Sequence, residues 1–308
     1  MIEAQGLTKR YGPTLAVDRV DFQIHPGTVT GFLGPNGSGK STTMRMIMGL
    51  DRPTAGSVTI DGKRYQDLRA PLHEVGALLE AKAVHPGRSA RSHLRGLAAT
   101  HGIGRRRVDE VIELTGISKV AKKRVGGFSL GMGQRLGIAA AMLGDPKVLI
   151  LDEPVNGLDP EGVQWVRTLV RRLADEGRTV FISSHLMSEM SMTADQLLVI
   201  GKGRIITGGP VKDVIDASVR PVVVVRTPHV DQLLAALPPQ AVARRAEDGS
   251  LEVEDLSAPE IGAAAHHAGV ELHELSPRSA SLEQAFMTLT HDSVEYRAGN
   301  DSGSEVTR

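Results

Sequence analysis

The chain has 308 residues, is 41% apolar and carries 36 cationic and 36 anionic side chains, so it can build one or two real cores and is not held to nucleic acid by bulk charge. It has no cysteine, which excludes disulfides, thiolate chemistry and Cys-ligated metals. The N-terminus MIEAQGLTKRYG lacks the apolar core of a signal peptide, and no run reaches the ~18 apolar residues of a membrane span, so the chain is expected to be soluble, with any membrane role supplied by a partner.

Residues 2–10 and 15–25 alternate like two half-buried strands. Tyr11 lies between them, either as a turn aromatic or as a ring that stacks on a nucleotide base. Residues 28–33 are short and apolar, with β-branched residues at their start, and read as a buried strand. GPNGSGKST follows, placing Gly34, Gly39, Lys40 and Ser41 at the G-x-x-x-x-G-K-[ST] positions. Residues 42–49 then read as a helix with Met44, Ile47 and Met48 on one side. A phosphate chain needs this order of parts. Glycines let successive N–H groups curl around the anion, and the helix N-terminus adds partial positive charge. Lys40 supplies a point charge to the β- and γ-phosphates, and Ser41 a hydroxyl to Mg²⁺.

Residues 53–63 read as turn, strand, turn, and EVGALLE at 74–80 as a short strand ending in Glu80. A loop rich in His and Arg follows. Arg88, Arg91 and Arg95 are spaced to share a helix face, which is either a solvated face or a contact surface for a partner. Residues 105–124 read as an amphipathic helix with Val108, Val111, Ile112 and Leu114 inward. Its flanks RRR and KKR read as surface charge, because aromatics to stack on bases are scarce. Ser129 and LGMG precede a helix containing Leu136, Ile138, Ala139, Ala140 and Leu143. This is either a second anion site or a simple N-capping serine.

Residues 148–151 are wholly apolar, as in the middle of a parallel sheet, with Asp152 and Glu153 at the C-terminal end where open α/β sheets bind ligands. Adjacent carboxylates there are costly to bury without a cation or a task. Asp152 suits a Mg²⁺ partner, and Glu153 a group that orients or deprotonates water. After a helix over 160–176, the strand at 179–182 delivers Ser183, Ser184 and His185. His185 is either structural or bonded to a γ-phosphate. A hairpin at 195–208 and a helix at 210–217 complete the first domain, 1–217. From 218 to 290 the order is βαββαβ, a small ferredoxin-like α+β domain with a terminal helix. Residues 291–308 read as a disordered tail.

The phosphate loop, SLGMGQ, LILDEP, GLDP and SSH, in that order, resemble the nucleotide-binding subunit of an ATP-binding-cassette transporter, closest in kind to ATPases of bacterial drug and antibiotic exporters. The resemblance implies a P-loop cassette with a mixed sheet core, an antiparallel β edge and a helical subdomain. It implies ATP and Mg²⁺ as ligands, a second ATP-binding subunit and a separate permease as partners, no nucleic acid, and a place on the cytoplasmic face of the membrane. By the same resemblance Tyr11 stacks on adenine, and Gly34, Pro35, Asn36, Gly37, Ser38, Gly39, Lys40, Ser41 and Thr42 hold the phosphates. Asp152 anchors Mg²⁺ with Ser41, Glu153 is the catalytic carboxylate, and His185 senses the γ-phosphate. Ser129 and Gly131 reach ATP held by the other subunit, and Asp159 crosses the dimer interface. Two departures stand out: the signature is FSLGM rather than LSGGQ, and Glu80 takes the place of the usual metal-binding Gln. As a carboxylate Glu80 can bind Mg²⁺ with Ser41 and Asp152, but when ionised it cannot donate a hydrogen bond. The rival readings are a soluble cassette ATPase acting on ribosomes or nucleic acid, and a nucleotide-gated module without turnover.

Overall fold

The computed structural model describes residues 1–80, 84–218, 222–239, 241–246, 248–278 and 281–290. The chain divides into two compact units, one spanning Met1–Gly208 and the other Gly209–Leu289. The sequence expectation set the boundary after 217. The helix at 211–218 instead falls with the second unit. The expected tail, 291–308, lies outside the described residues. Among those described, no helix is long and apolar enough to cross a membrane.

In the first unit β1 (Ile2–Tyr11) and β2 (Thr14–Ile24) pair antiparallel. β3 (Val29–Leu33) runs into the phosphate loop and α1 (Lys40–Ile47), after which β4 (Ala55–Ile60) returns beside β1. α2 (Pro71–Glu74) leads into β5 (Val75–Leu78). The helical part comprises α3 (Ala90–Thr100), α4 (Arg105–Leu114) and α5 (Leu130–Ala141). Then come β6 (Val148–Leu151), α6 (Pro160–Asp175), β7 (Thr179–Ser184), α7 (Met187–Thr193), β8 (Gln196–Gly201) and β9 (Arg204–Pro210). β8 and β9 are joined by Lys202 and Gly203, both at positive φ (46° and 79°), the backbone of a tight two-residue hairpin.

The described strands of this unit form a three-stranded sheet, β2-β1-β4, and a six-stranded sheet, β5-β6-β7-β3-β8-β9. From β5 through β8 the larger sheet is parallel. Its central strands β3, β6 and β7 are buried along their whole length; β6 accordingly reads as an unbroken apolar run, while β3 and β7 also bury Thr30, Thr179, Ser183 and Ser184. Phe22 of the antiparallel sheet meets Phe32 and Phe181 of the parallel sheet at ring-centroid distances of 6.5 and 6.2 Å, so aromatic packing ties the two sheets together. Parallel strands share one C-terminal edge. β3, β6 and β7 therefore deliver the phosphate loop, the Asp152–Glu153 pair and His185 to the same side.

Two helix expectations fail locally. α4 stops at Leu114 rather than 124, because Gly116 at φ 71° turns the chain out of the helix. Val108, Val111 and Ile112 are buried as expected, but Leu114 is only half-buried. α3 starts at Ala90 behind the cap Ser89, so Arg88 lies outside the helix and does not share a helical face with Arg91 and Arg95. α1 also begins at Lys40, which puts Lys40, Ser41 and Thr42 in its first turn.

The second unit contains α8 (Val211–Ser218), β10 (Val222–Arg226), α9 (Val230–Ala236), β11 (Val242–Arg245), β12 (Leu251–Glu254), α10 (Ala258–His267), β13 (Glu274–Arg278) and α11 (Leu282–Thr290). Its antiparallel sheet runs β11-β12-β10-β13, the ferredoxin-like order for βαββαβ. Val223, Val225, Leu233, Leu251, Val253 and Ile261 fill its core. The last strand lies later than the expected 270–275. Its register is set by Arg226 opposite Glu274, and Pro277 is tolerated because β13 is an edge.

Candidate active site

The phosphate loop is shaped by contacts that leave no room for side chains. A Cβ on Gly34 would lie 2.4 Å from the Ile200 carbonyl oxygen, and one on Gly39 would lie 2.6 Å from that of Ala16. Gly37 and Gly39 also take φ of 80° and 107°, where L-residues are strained. Gly39 is the N-cap of α1 and supplies no side-chain cap, and the first turn holds no acid, so the leading N–H groups stay open to an anion. Beside it lies a cavity of about 210 Å³, lined by residues 36–42 with Ala16, Asp152 and Glu153.

Lys40 is 7% exposed, and its Nζ donates to the carbonyl oxygens of Gly34 at 2.7 Å and Pro35 at 3.2 Å. Burial holds its pKa below the usual lysine range, while the carboxylates of Glu153 and Asp152 favour the charged form. A buried ammonium whose hydrogen bonds, among the described residues, go to neutral carbonyls suits an anionic ligand. The Ser38 hydroxyl is buried without a hydrogen-bond partner among the described residues, a further donor that fits a phosphate oxygen. Ser41 and Asp152 line the same cavity. One hydroxyl and one carboxylate, completed by substrate phosphates, is the donor set that suits Mg²⁺.

Glu153 is held from several sides. Its φ is 50°, an uncommon value outside glycine that persists only when neighbours fix it. Its N–H donates to the Ser183 hydroxyl at 2.9 Å, and that hydroxyl donates to Asp152 Oδ1 at 2.5 Å. Gln134 Nε2, on α5, donates to the Glu153 carbonyl oxygen at 3.0 Å. His185 Nδ1 bonds to Glu153 Oε2 at 2.8 Å, the carboxylate accepting. Ser183 and Gln134 carried no assigned role in the sequence. In the sequence Ser183 stands as one residue of the strand-end SSH, and Gln134 as the last residue of SLGMGQ, next to Arg135.

The other candidates lie elsewhere. Tyr11 is 44% exposed; its hydroxyl donates to Asp51 at 2.8 Å, and Lys9 Nζ lies 4.8 Å from its ring centroid. Glu80 is exposed after β5, does not line the cavity, and lies within electrostatic reach of Arg45. Ser129 caps α5, accepting from the Met132 N–H at 3.2 Å. Asp159 caps α6, accepting from the Gly162 N–H at 2.8 Å. Gly131 packs so close to the GLDP loop that a Cβ would lie 2.9 Å from the Gly157 carbonyl oxygen. The signature loop and the GLDP loop thus abut each other, but Ser129, Gly131 and Asp159 do not line the phosphate cavity.

Comparison with known proteins agrees with this arrangement. Residues 17–156 match the family described as ABC transporter, and residues 221–283 match a domain described as of unknown function. The chain is 42% identical over 209 residues to the bacitracin transport ATP-binding protein BcrA of Bacillus licheniformis, covering 67% of this chain and 68% of that protein. It is 34% identical over 299 residues to the Nod factor export ATP-binding protein I of Cupriavidus pinatubonensis (strain JMP 134 / LMG 1197), covering 94% and 90%. The dimeric structure of MJ0796, a bacterial ABC transporter cassette, superposes with a TM-score of 0.64 at 25% identity, covering 68% of this chain and 98% of that one. These relatives are named for transport, not for work on ribosomes or nucleic acid. The chain belongs to the ABC transporter family and is an ATP-binding, ATP-hydrolysing subunit that uses Mg²⁺.

Proposed function

We propose that two copies of this chain close on ATP and drive a separate membrane permease that exports an antibiotic, from the cytoplasmic face of the membrane. Export of this class of cargo is supported by the 42% identity to a bacitracin transport protein. Pairing is supported by the dimeric cassette that shares the fold. The observation that carries the reading is a division of labour within one chain. Lys40, Ser41, Asp152 and Glu153 share one cavity, with His185 bonded to Glu153, whereas Ser129, Gly131 and Asp159 stand outside it. A second copy would bring the missing half.

In this reading residues 34–42 cradle the phosphates, and Lys40 exchanges its carbonyl partners for β- and γ-phosphate oxygens. Ser41 and Asp152 hold Mg²⁺, which when bound neutralises phosphate charge. Glu153 orients the attacking water and accepts its proton. His185 steadies the Glu153 carboxylate and bonds the γ-phosphate. Tyr11 offers its exposed ring to the adenine. Ser129 and Gly131 of the second copy contact the γ-phosphate, with Asp159 at the joint. Glu80 faces solvent near Arg45 and contributes charge after β5 rather than a metal ligand within the cavity.

The test is to trap the closed pair. Glu153→Gln with Mg-ATP should elute as a stable dimer that does not turn over, whereas the wild type should cycle. If that variant stays monomeric with ATP, with the permease present as well as absent, the split site is wrong.

A further inference from the structure

Tyr11 ends β1 opposite Thr14, at the tip of the hairpin with β2, and is 44% exposed. A ring in such a place has few neighbours to orient it, and a base that stacks on an unoriented ring must first stop its rotamer motion. This ring is held at its far end. The Tyr11 hydroxyl donates to Asp51 Oδ2 at 2.8 Å, and Arg45 Nε donates to the same oxygen at 2.7 Å. Only 17% of the Asp51 side chain is exposed. The Arg45 bond, with the Tyr11 bond behind it, holds the Asp51 carboxyl below the usual carboxylate range, so it remains an ionised acceptor.

Arg45 lies in the last turn of α1, and Thr42 in its first turn is also within reach of the Tyr11 hydroxyl. The helix that opens with Lys40 and Ser41 therefore bears on the phenol from both of its ends. The segment after α1 is in turn stitched to the end of β1. The Thr54 N–H donates to the Thr8 carbonyl oxygen at 2.8 Å, the Arg10 N–H to the Thr54 hydroxyl at 3.0 Å, and Lys9 Nζ to the Arg52 carbonyl oxygen at 2.8 Å. Lys9 Nζ lies over one face of the Tyr11 ring, which leaves the other face to a base.

We propose that Asp51 and Arg45 are positioning residues for the nucleotide base: they fix the Tyr11 ring relative to the phosphate loop, so that the base and the phosphates of one nucleotide are met at a set spacing. Neither residue lines the phosphate cavity, and neither has to touch the nucleotide. A tie that served stability alone would be poorly built this way, because an ion pair with a half-exposed arginine contributes little. Here an ionised carboxylate grips a phenol whose ring stays open to solvent, which orients the ring rather than burying it.

The proposal rests on the reading of Tyr11 as the platform for the base, and the experiment separates the two. The full chain is titrated by calorimetry with Mg-ADP and with magnesium pyrophosphate, which keeps the phosphates and lacks the base. Neither ligand calls for a second copy or for turnover. Tyr11→Ala should weaken ADP about tenfold and leave pyrophosphate within about twofold. Asp51→Ala should weaken ADP about three- to fivefold, again with pyrophosphate within about twofold, and Tyr11→Phe should match it. Asp51→Asn, whose amide oxygen still accepts from the phenol, should recover part of the loss. In a Tyr11→Ala background Asp51→Ala should add nothing, because it acts through the ring. Wild-type ADP affinity in Tyr11→Ala would remove the platform and this proposal with it. A weakened Tyr11→Ala beside an unchanged Asp51→Ala would overturn the proposal alone, as would an equal loss of pyrophosphate or additive losses in the double variant.

Discussion

The two units spend their polar residues differently. In Met1–Gly208 the phosphate loop buries polar groups with few partners: Lys40 bonds to neutral carbonyls and Ser38 has no hydrogen-bond partner among the described residues, while the half-buried Glu153 is held at positive φ. In Gly209–Leu289 the core is aliphatic, and the charges lie outside in ion pairs such as Arg226 with Glu274 and Arg278 with Glu252. One unit stores unsatisfied polarity for a ligand; the other is built for stability. The contrast separates residues whose loss should cost chemistry from those whose loss should cost only folding.

The largest expected effect comes from removing the buried ammonium. Lys40→Ala should lose ATP affinity by at least about a hundredfold, read by calorimetry, while the thermal midpoint stays near or above wild type because a desolvated charge is gone. Next, Glu153→Gln should keep ATP affinity within a few-fold and lose turnover by roughly 10²–10⁴. Wild-type turnover would remove Glu153 from the chemistry.

Ser183→Ala tests whether the hydroxyl that links Asp152 and Glu153 matters to rate. A fall in kcat of roughly tenfold is expected, about the worth of a hydrogen bond to a charged group, with KM nearly unchanged and partial rescue by Ser183→Thr. In the second unit the expected currency is stability alone. Leu233→Ala, at a fully buried position, should destabilise by about 2–5 kcal/mol in denaturant unfolding and leave the turnover per folded molecule intact.

The smallest effect is acid sensitivity of the second unit. Ser250 and Arg226 hold the Asp248 carboxyl down at about 2, and Glu260 and Glu274 are lowered by Ser257 and by Ser276 with Arg226. Folded pKa values below unfolded ones mean stability that is present above the ordinary carboxylate range, about 4. It should fade as pH falls from there toward about 2. Asp248→Asn should flatten that part of the profile, followed by circular dichroism.

What was legible in the sequence was local. The phosphate loop is contiguous, and each residue type is explained by its own spacing. The Asp152–Glu153 pair was visible because two charges end an apolar run. The roles of Ser183 and Gln134 depended on pairings far along the chain: β6 beside β7 in the register Leu151 with Ile182, and α5 against the end of β6. α4 was overextended because apolar residues at 117, 120 and 121 continue the helical pattern past Gly116, where the backbone leaves it. The edge strand β13 was misplaced because Ser276 and Pro277 do not look like a strand until Arg226 and Val223 are set opposite it.

The bond from Gln134 to the Glu153 carbonyl oxygen has a further consequence. The helix that begins at Ser129 also grips the backbone of the chain's own carboxylate. On the proposed pairing, that helix points its first turn at the neighbour's nucleotide and its second at home. News of what one copy holds would then need to travel only a single turn of helix to reach the other copy's cutting residue.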